Sequence, residues 1–157
     1  MDSTYEKVID DVSLSLVASE KGIRTIAFNP SHPQPNGTNR HNPVLSEAIR
    51  QLRAYFAGDL REFDLPLDLC GTDFQLRVWR QLLKIPYGET RSYSEIAGAI
   101  DSPKSVRAVG AANGANPIAI VVPCHRVIGA GGSLTGYGGG LPLKKRLLDL
   151  ERGSLFR

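Results

Sequence analysis

The sequence has little cysteine, few aromatic residues and no long hydrophobic run: 2 of its 157 residues are cysteines and 7% are aromatic. Two cysteines are too few for a disulfide framework, and with only 3 histidines the chain offers little for a metal cage. No apolar segment approaches the roughly 20 residues that span a bilayer, and the first residues lack the basic and apolar regions of a signal peptide. We therefore expect a soluble, cytoplasmic protein with no membrane contact.

The composition, 41% hydrophobic and 22% charged, is typical of a globular protein and excludes disorder and fibres. The net charge of +3 conceals a division between the two halves. Residues 1–70 carry 7 basic and 10 acidic side chains, a net −3, whereas residues 71–157 carry 12 basic and 6 acidic side chains, a net +6. A basic surface attracts phosphate without reading sequence, but a solvated basic face with no nucleic-acid partner fits this division equally well.

The first half predicts a small α/β domain over residues 1–58. Apolar residues alternate with polar ones over residues 12–18 and again over residues 23–27, which is typical of two strands joined by a hairpin. An amphipathic helix follows, with Asn42 as its cap and Gly58 at its end. The predicted fold class for this part is a sheet with one helix packed on it.

Residues 59–71 predict a linker, and residues 72–157 predict a second, mostly helical domain. Capping boxes at Thr72 and Ser92 predict the starts of two helices, and Ser102-Pro103 predicts the start of a third. The last two helices are short and joined by a tight turn on the basic half of the chain. This pattern resembles a helix-turn-helix unit, so the predicted overall class is α+β.

The third helix of this domain has very little bulk, since Arg107 is the only long side chain in its central stretch. Two interpretations are equally consistent with a thin helix: tight packing inside the domain, or close approach to a DNA groove narrower than the major groove. The small residues concerned are Ala108, Gly110, Ala111 and Ala112.

Cys124 follows an apolar run, residues 118–122, that predicts a short buried strand. A lone cysteine is usually a buried structural thiol, but the neighbouring His125 and Arg126 favour the thiolate. Cys70 has no such neighbours and lies in the acidic linker, so we interpret it as structural or incidental.

Four motifs in the second half together carry a family resemblance. Residues 123–129 (PCHRVIG), preceded by residues 107–110 (RAVG) and 116–117 (NP) and followed by residues 136–140 (GYGGG), closely resemble the O6-alkylguanine-DNA alkyltransferases. The likeness runs from about residue 71 to residue 151. It implies an N-terminal domain on a ribonuclease-H-like plan, a C-terminal helix-turn-helix domain of winged-helix type, and direct-reversal DNA repair.

The resemblance implies a role for each catalytic residue. Cys124 would be the nucleophile that accepts the alkyl group, since a soft thiolate suits displacement at an sp3 carbon. His125 would take the thiol proton through a bridging water, and Glu151 would orient the histidine ring. Tyr93 would donate a proton to the departing guanine, and Asn116 would support the recognition region.

The same resemblance implies how the guanine is held. The carbonyls of Cys124 and Val127 are expected to accept hydrogen bonds from the guanine amino group, and the ring of Tyr137 walls the alkyl pocket. Gly138 and Gly139 belong to a flap whose backbone N–H groups would reach O6. Several relatives carry a serine at the position of Gly138, so we expect a main-chain contact here.

Guanine O6 cannot be reached inside a stacked duplex, so the nucleotide must be flipped out. The implied partner is double-stranded DNA containing O6-alkylguanine, approached from the minor groove, with Arg107 entering the stack in place of the base. The other residues expected to contact DNA are Ala108, Gly110, Ala111, Ser92, Tyr93 and Arg126.

A thioether is not cleaved by water, so each molecule should act once. We expect no cofactor, and residues 1–69 contain no cysteine for the zinc site that some relatives have. We expect a monomer; cooperation along DNA and repair of O4-alkylthymine stay open.

Two alternatives remain. The first is a DNA-binding protein without transfer, either an alkyltransferase-like damage sensor or a transcription regulator; such sensors lack the cysteine, which is present here. The second is a cysteine hydrolase, which is disfavoured because adjacent cysteine and histidine lack the separation of nucleophile and base in such enzymes.

Overall fold

The computed structural model describes residues 3–28 and 42–154 and divides them into two compact units. The first unit contains the described residues up to Cys70 together with Pro117–Ala119. The second contains Gly71–Asn116 and the described residues from Ile120 onward. Most of the loop predicted over residues 29–43 lies outside the described residues.

The first unit is built on an antiparallel sheet of three strands, β1 (Ser3–Ile9), β2 (Val12–Ser19) and β3 (Gly22–Phe28), in the order β1-β2-β3. The alternation in β2 places every second side chain in the core, as expected. β2 and β3 were predicted, whereas β1 was not, because its sequence, STYEKVI, has no alternation of apolar and polar residues.

Two separate segments extend this sheet beyond β3. Ile23 donates its N–H to the Pro66 carbonyl at 2.8 Å and accepts from the Asp68 N–H at 2.8 Å. Further along β3, Ile26 donates to the Pro117 carbonyl at 2.9 Å and accepts from Ala119 at 3.0 Å. Part of the segment predicted as a linker therefore pairs with the sheet.

The helix α1 (Pro43–Phe56) covers the sheet. Asn42 caps it as predicted, because the side-chain oxygen of Asn42 accepts the N–H groups of Val44 at 2.9 Å and Leu45 at 3.1 Å. The apolar face of α1 is buried; it includes Leu45, Ala48, Leu52, Tyr55 and Phe56.

The second unit is mainly helical. Its elements are α2 (Asp73–Leu82), β4 (Arg91–Ser92), α3 (Tyr93–Ala99), α4 (Val106–Gly114), a 3-10 turn (Cys124–Arg126), β5 (Val127–Ile128) and α5 (Leu141–Ser154). Both capping boxes form as predicted, at Thr72 for α2 and at Ser92 for α3. The chain thus contains one helical unit and one small sheet unit, which confirms the predicted α+β class.

Two local predictions about the second half of the sequence were wrong. The helix α4 begins at Val106 and not at Ser102-Pro103, because those residues form a turn in which Ser105 donates to the Ser102 carbonyl at 2.9 Å. The run 118–122 is not a strand: after a single bridge at Ile118 the chain turns, with Ile120 in the left-handed region at φ 71°. A run of apolar residues indicates that the segment is buried, and a buried turn has such a run as readily as a strand does.

The core of the second unit joins α2, α3 and α4. The Trp79 ring is buried, and its Nε1–H donates to the Ala112 carbonyl at 2.8 Å. Val109 and Ala112 are the buried side of α4 in this core. Among the described residues, no helix has the length and apolarity to cross a membrane.

Candidate active site

Cys124 begins the 3-10 turn and is 8% exposed. Burial raises the pKa of its thiol, while a hydrogen bond with the Asn116 side chain and the charge of Lys144 lower it. Because burial is the largest of these effects, the thiol is protonated at rest and needs a base to become a nucleophile.

His125 lies next to Cys124 in the chain and is completely buried. Its Nε2 is 2.6 Å from Oε2 of Glu151. Burial lowers the pKa of His125, and this outweighs the opposing effect of Glu151, so the ring is neutral at pH 7. A carboxylate can only accept, so the one ring proton is on Nε2 and the lone pair is on Nδ1. Nδ1 has no hydrogen-bond partner among the described residues.

Glu151 is the centre of this cluster. Burial alone would raise its pKa, but hydrogen bonds and charges from His125 and Arg126 lower it from 4.5 to about 2. Oε1 of Glu151 accepts from Arg126 Nε at 2.8 Å and from the Gly88 N–H at 3.3 Å. The carboxylate is therefore fixed in charge and in orientation.

Arg126 is buried inside the second unit, at 7% exposure. Besides Glu151, its guanidinium donates to the Ile85 carbonyl at 2.7 Å. A phosphate contact needs an exposed guanidinium. In place of the DNA contact expected from the sequence, we therefore propose that Arg126 holds Glu151 in position.

Two asparagines on the last turn of α4 and just beyond it hold the chain around Cys124. Asn116 Nδ2 donates to the Val122 carbonyl at 2.7 Å. Asn113, which was not predicted, is buried and directs Nδ2 to the Cys124 carbonyl at 3.4 Å. These contacts fix the turn that leads into the 3-10 turn.

Lys144 is a second residue that was not predicted. It is 0% exposed, and its Nζ donates to the carbonyls of Val127 at 2.7 Å and Thr135 at 3.0 Å. The ammonium is close enough to lower the pKa of the Cys124 thiol. A signal was present in the sequence, because Lys144 shares the helical period of the buried stripe of α5, which continues through Leu147, Leu148 and Glu151.

The two tyrosines predicted for the site are both placed by hydrogen bonds or packing. Tyr93 Oη lies 2.8 Å from Oγ1 of Thr135. The Tyr137 ring is edge-on to the His125 ring, with 6.5 Å between the centroids. Burial raises the pKa of Tyr137 well above its usual value, so its phenol stays protonated. In the flap, a Cβ added at Gly138 would meet nothing within 4 Å.

The exposed side of α4 carries the predicted DNA-facing residues. Arg107, Ala108 and Ala111 are exposed, so both alanines leave an open surface beside the arginine. Gly110 faces inward to the Tyr93 ring, whose carbons would lie 3.9 Å from an added Cβ. The hydroxyl of Ser92 accepts from the Glu95 N–H at 3.1 Å as the cap of α3. The packing interpretation thus applies to Ala112, and the open-surface interpretation to Ala108 and Ala111.

No group of three histidine, cysteine, aspartate or glutamate side chains that could hold a metal ion is present in residues 3–28 and 42–154. The site contains instead the groups that a proton transfer would need: a buried thiol, a neutral imidazole with one lone pair, and a carboxylate that fixes the tautomer. This is the chemistry of an activated nucleophile.

Two family models together cover most of the chain. Residues 13–69 match the ribonuclease-like domain of 6-O-methylguanine DNA methyltransferase, and residues 73–153 match its DNA binding domain. The chain belongs to the 6-O-methylguanine DNA methyltransferase family. The resemblance stated from the sequence is thereby confirmed.

Several members of the family are similar over long stretches. The methylated-DNA–protein-cysteine methyltransferase of Mycolicibacterium paratuberculosis is 63% identical over 151 residues, which cover 94% of this chain and 92% of the relative. The protein of the same name from Mycobacterium tuberculosis is 69% identical over 109 residues. That match covers 69% of this chain and 66% of the relative, which is just under two thirds of its length.

Solved structures of the family have the same fold. The crystal structure of Mycobacterium tuberculosis O6-methylguanine methyltransferase superposes with a TM-score of 0.85 at 49% identity, with both chains fully covered. The structure of Mycobacterium tuberculosis OGT in complex with DNA gives a TM-score of 0.80 at 52% identity and covers 96% of this chain and 92% of the other.

Proposed function

We propose that the protein repairs DNA by direct reversal, transferring the alkyl group from O6 of guanine to the sulfur of Cys124 in one irreversible step. The activity is that of a methylated-DNA–protein-cysteine methyltransferase, and each molecule carries out the transfer once. The observation that carries this proposal is the buried pair of His125 and Glu151, which leaves a free lone pair on the imidazole beside a buried thiol. The names of the mycobacterial relatives support the same activity.

The transfer begins with removal of the thiol proton. His125 Nδ1 takes this proton by way of a water molecule, and Glu151 stabilises the imidazolium that forms. The positive charge of Lys144 favours the thiolate of Cys124. The thiolate lone pair then forms the S–C bond to the alkyl carbon, the C–O6 bond breaks, and its electron pair passes into the guanine ring.

The departing guanine needs a proton to leave as a neutral base, and Tyr93 supplies it to N3. The carbonyls of Cys124 and Val127 accept from the guanine amino group. The Val127 carbonyl accepts from Lys144 and has a second lone pair for the guanine. The Cys124 carbonyl accepts from the Val127 N–H and, at 3.4 Å, from Asn113, and the guanine amino group would replace this longer contact with Asn113. Tyr137 walls the alkyl pocket. The backbone N–H groups of Gly138 and Gly139 reach O6.

The DNA-facing surface is the exposed side of α4. Arg107 enters the base stack when the nucleotide rotates out, and the small side chains of Ala108 and Ala111 let the helix come close to the minor groove. Gly110, which faces the Tyr93 ring, and Ser92, the cap of α3, complete the proposed DNA-facing set. The DNA complex of Mycobacterium tuberculosis OGT supports this partner. Binding depends on phosphate contacts and weakens as salt rises.

The end product is a thioether on Cys124, which water does not cleave. No described residue of the site is arranged to remove an alkyl group from sulfur, so the protein is consumed stoichiometrically. We propose the cytoplasm as its compartment, because thiols are kept reduced there and Cys124 must be reduced to react.

The direct test is a mass measurement. The protein is incubated with a duplex oligonucleotide containing one O6-methylguanine, digested and analysed. The peptide that contains Cys124 should gain the mass of one methyl group in exchange for a hydrogen, in proportion to guanine restored in the DNA. Cys70→Ser is the matched control, since it removes the exposed thiol and should leave transfer unchanged. Bound DNA with an unmodified peptide would instead support a non-transferring damage sensor.

A further inference from the structure

The loop between β5 and α5 contacts the start of α3 through one hydrogen bond between hydroxyl groups. Tyr93 is the first residue of α3, and its Oη lies 2.8 Å from Oγ1 of Thr135, 42 residues later in the chain. Neither residue is fully buried, so solvent reaches this part of the site. No motif in the sequence indicated Thr135.

Thr135 is held by further contacts. The Thr135 carbonyl accepts from Lys144 Nζ at 3.0 Å, and that ammonium is fixed in turn by the Val127 carbonyl at 2.7 Å. The methyl group of Thr135 lies against Gly129, where an added Cβ would come within 3.2 Å of it. A β-branched side chain is stiff at χ1, and these contacts favour the rotamer that directs the hydroxyl to the phenol.

The number of protons decides the direction of the hydrogen bond during transfer. The phenol of Tyr93 has one hydrogen, and so does the hydroxyl of Thr135. When Tyr93 donates its hydrogen to an acceptor on guanine, Thr135 must be the donor to Oη. A hydrogen bond donated to the phenol oxygen stabilises the negative charge that grows there as the proton leaves.

We propose that Thr135 is a positioning residue that orients the Tyr93 phenol and makes it a better proton donor to the departing guanine. This inference rests on the proposed function. In the transfer step, the S–C bond forms and the C–O6 bond breaks while the phenol proton moves to guanine N3. Thr135 keeps its own proton and donates a hydrogen bond to the phenolate, which is reprotonated from solvent after the base has left.

The test is a double-mutant cycle on the single-turnover rate of methyl transfer. Thr135→Val keeps the shape and the β-branch but removes the hydroxyl, and we expect a rate lower by about 5-fold, the effect of one hydrogen bond. Thr135→Ser should restore most of the rate. In a Tyr93→Phe background, Thr135→Val should cause no further loss, because no phenol remains to be oriented. Ser133→Ala, on an exposed hydroxyl of the same loop, is the matched control and should not change the rate.

A second measurement separates proton donation from general support of the loop. In a duplex whose O6-methylguanine has a C–H group in place of N3, the acceptor for the phenol proton is missing, so wild type and Thr135→Val should react at the same rate. DNA affinity should be equal for both proteins.

The outcomes distinguish the inference from the function on which it rests. A wild-type protein that transfers no methyl group overturns the proposed function. Normal transfer by wild type, with Thr135→Val either fully active or equally impaired in the Tyr93→Phe background, overturns the role of Thr135 alone. The role of Thr135 is also overturned if Thr135→Val lowers the rate by the same factor with the substrate that lacks N3 as with the normal substrate.

Discussion

Oε2 of Glu151 lies 2.6 Å from Nε2 of His125, and both side chains are inaccessible to solvent. Because a carboxylate only accepts, this contact determines which imidazole nitrogen carries the proton. It leaves the lone pair on Nδ1, which has no other partner in the described part of the chain. Glu151 thus determines which nitrogen of His125, the neighbour of Cys124 in the chain, can act as a base.

Glu151→Gln should therefore slow transfer by about 100-fold or more, the loss expected when a positioned base is disabled. Arg126 donates to both carboxylate oxygens, through Nε to Oε1 and through Nη2 to Oε2, so the amide nitrogen would face a guanidinium donor in either orientation. The Oε1 position adds a second fixed donor, the Gly88 N–H, whereas at the Oε2 position the His125 ring can change tautomer and accept at Nε2. We therefore expect the amide nitrogen to face His125, which moves the ring proton to Nδ1 and removes the base. The measurement is the single-turnover rate with a methylated duplex, together with its pH dependence.

Asp149→Asn is the control for this substitution. It makes the same change of charge and chemistry on the same helix, at an exposed residue paired with Lys145 at 2.7 Å. Such surface pairs contribute little to stability, so transfer should stay at the wild-type rate. A Glu151→Gln protein that is folded and reacts like the control would show that the tautomer of His125 does not limit the reaction.

The features predicted from the sequence are those with a local cause. The caps at Asn42, Thr72 and Ser92 were all found, because a side chain and a backbone N–H two or three residues away suffice to make them. The alternation in β2 was found because its period of two shows directly which face is buried. The family motif then led to the residues around Cys124.

Features that depend on contacts across the chain were missed. Thr135 lies in a loop without periodicity, and only the fold places its hydroxyl beside Tyr93. Arg126 was assigned to DNA because charged side chains are usually exposed, whereas here the carboxylate of Glu151 compensates for its burial. Lys144 was overlooked for the same reason, although its helical period predicted a buried position.

Lys144→Met should raise the pKa of the Cys124 thiol. The buried ammonium favours the thiolate, and methionine fills a similar volume without the charge. In a Cys70→Ser background, the rate of alkylation of Cys124 by iodoacetamide should reach its plateau at a higher pH in the variant, so that at neutral pH the variant reacts several-fold more slowly.

The neighbouring Lys145→Met provides the control, since Lys145 is exposed and pairs only with Asp149 among the contacts described. Its alkylation profile should coincide with that of wild type. If Lys144→Met also coincided with wild type while remaining folded, the lysine would act solely by holding the Val127 and Thr135 carbonyls.

Arg107→Ala should impair reaction with DNA while sparing reaction with the free base. Arg107 is exposed on α4 and takes no part in the proposed proton transfer, so its loss should affect only the step in which the nucleotide leaves the stack. Filling the vacated space offsets part of an unstacking cost of a few kcal/mol, so the rate with a methylated duplex should fall about 10-fold or more. The rate with free O6-benzylguanine should be unchanged, because a free base needs no flipping.

Arg80→Ala removes an equally exposed arginine from α2 and should alter neither rate. Equal losses with duplex and free base would mean that Arg107 supports the pocket, and the assignment of the exposed side of α4 to the DNA stack would have to be abandoned.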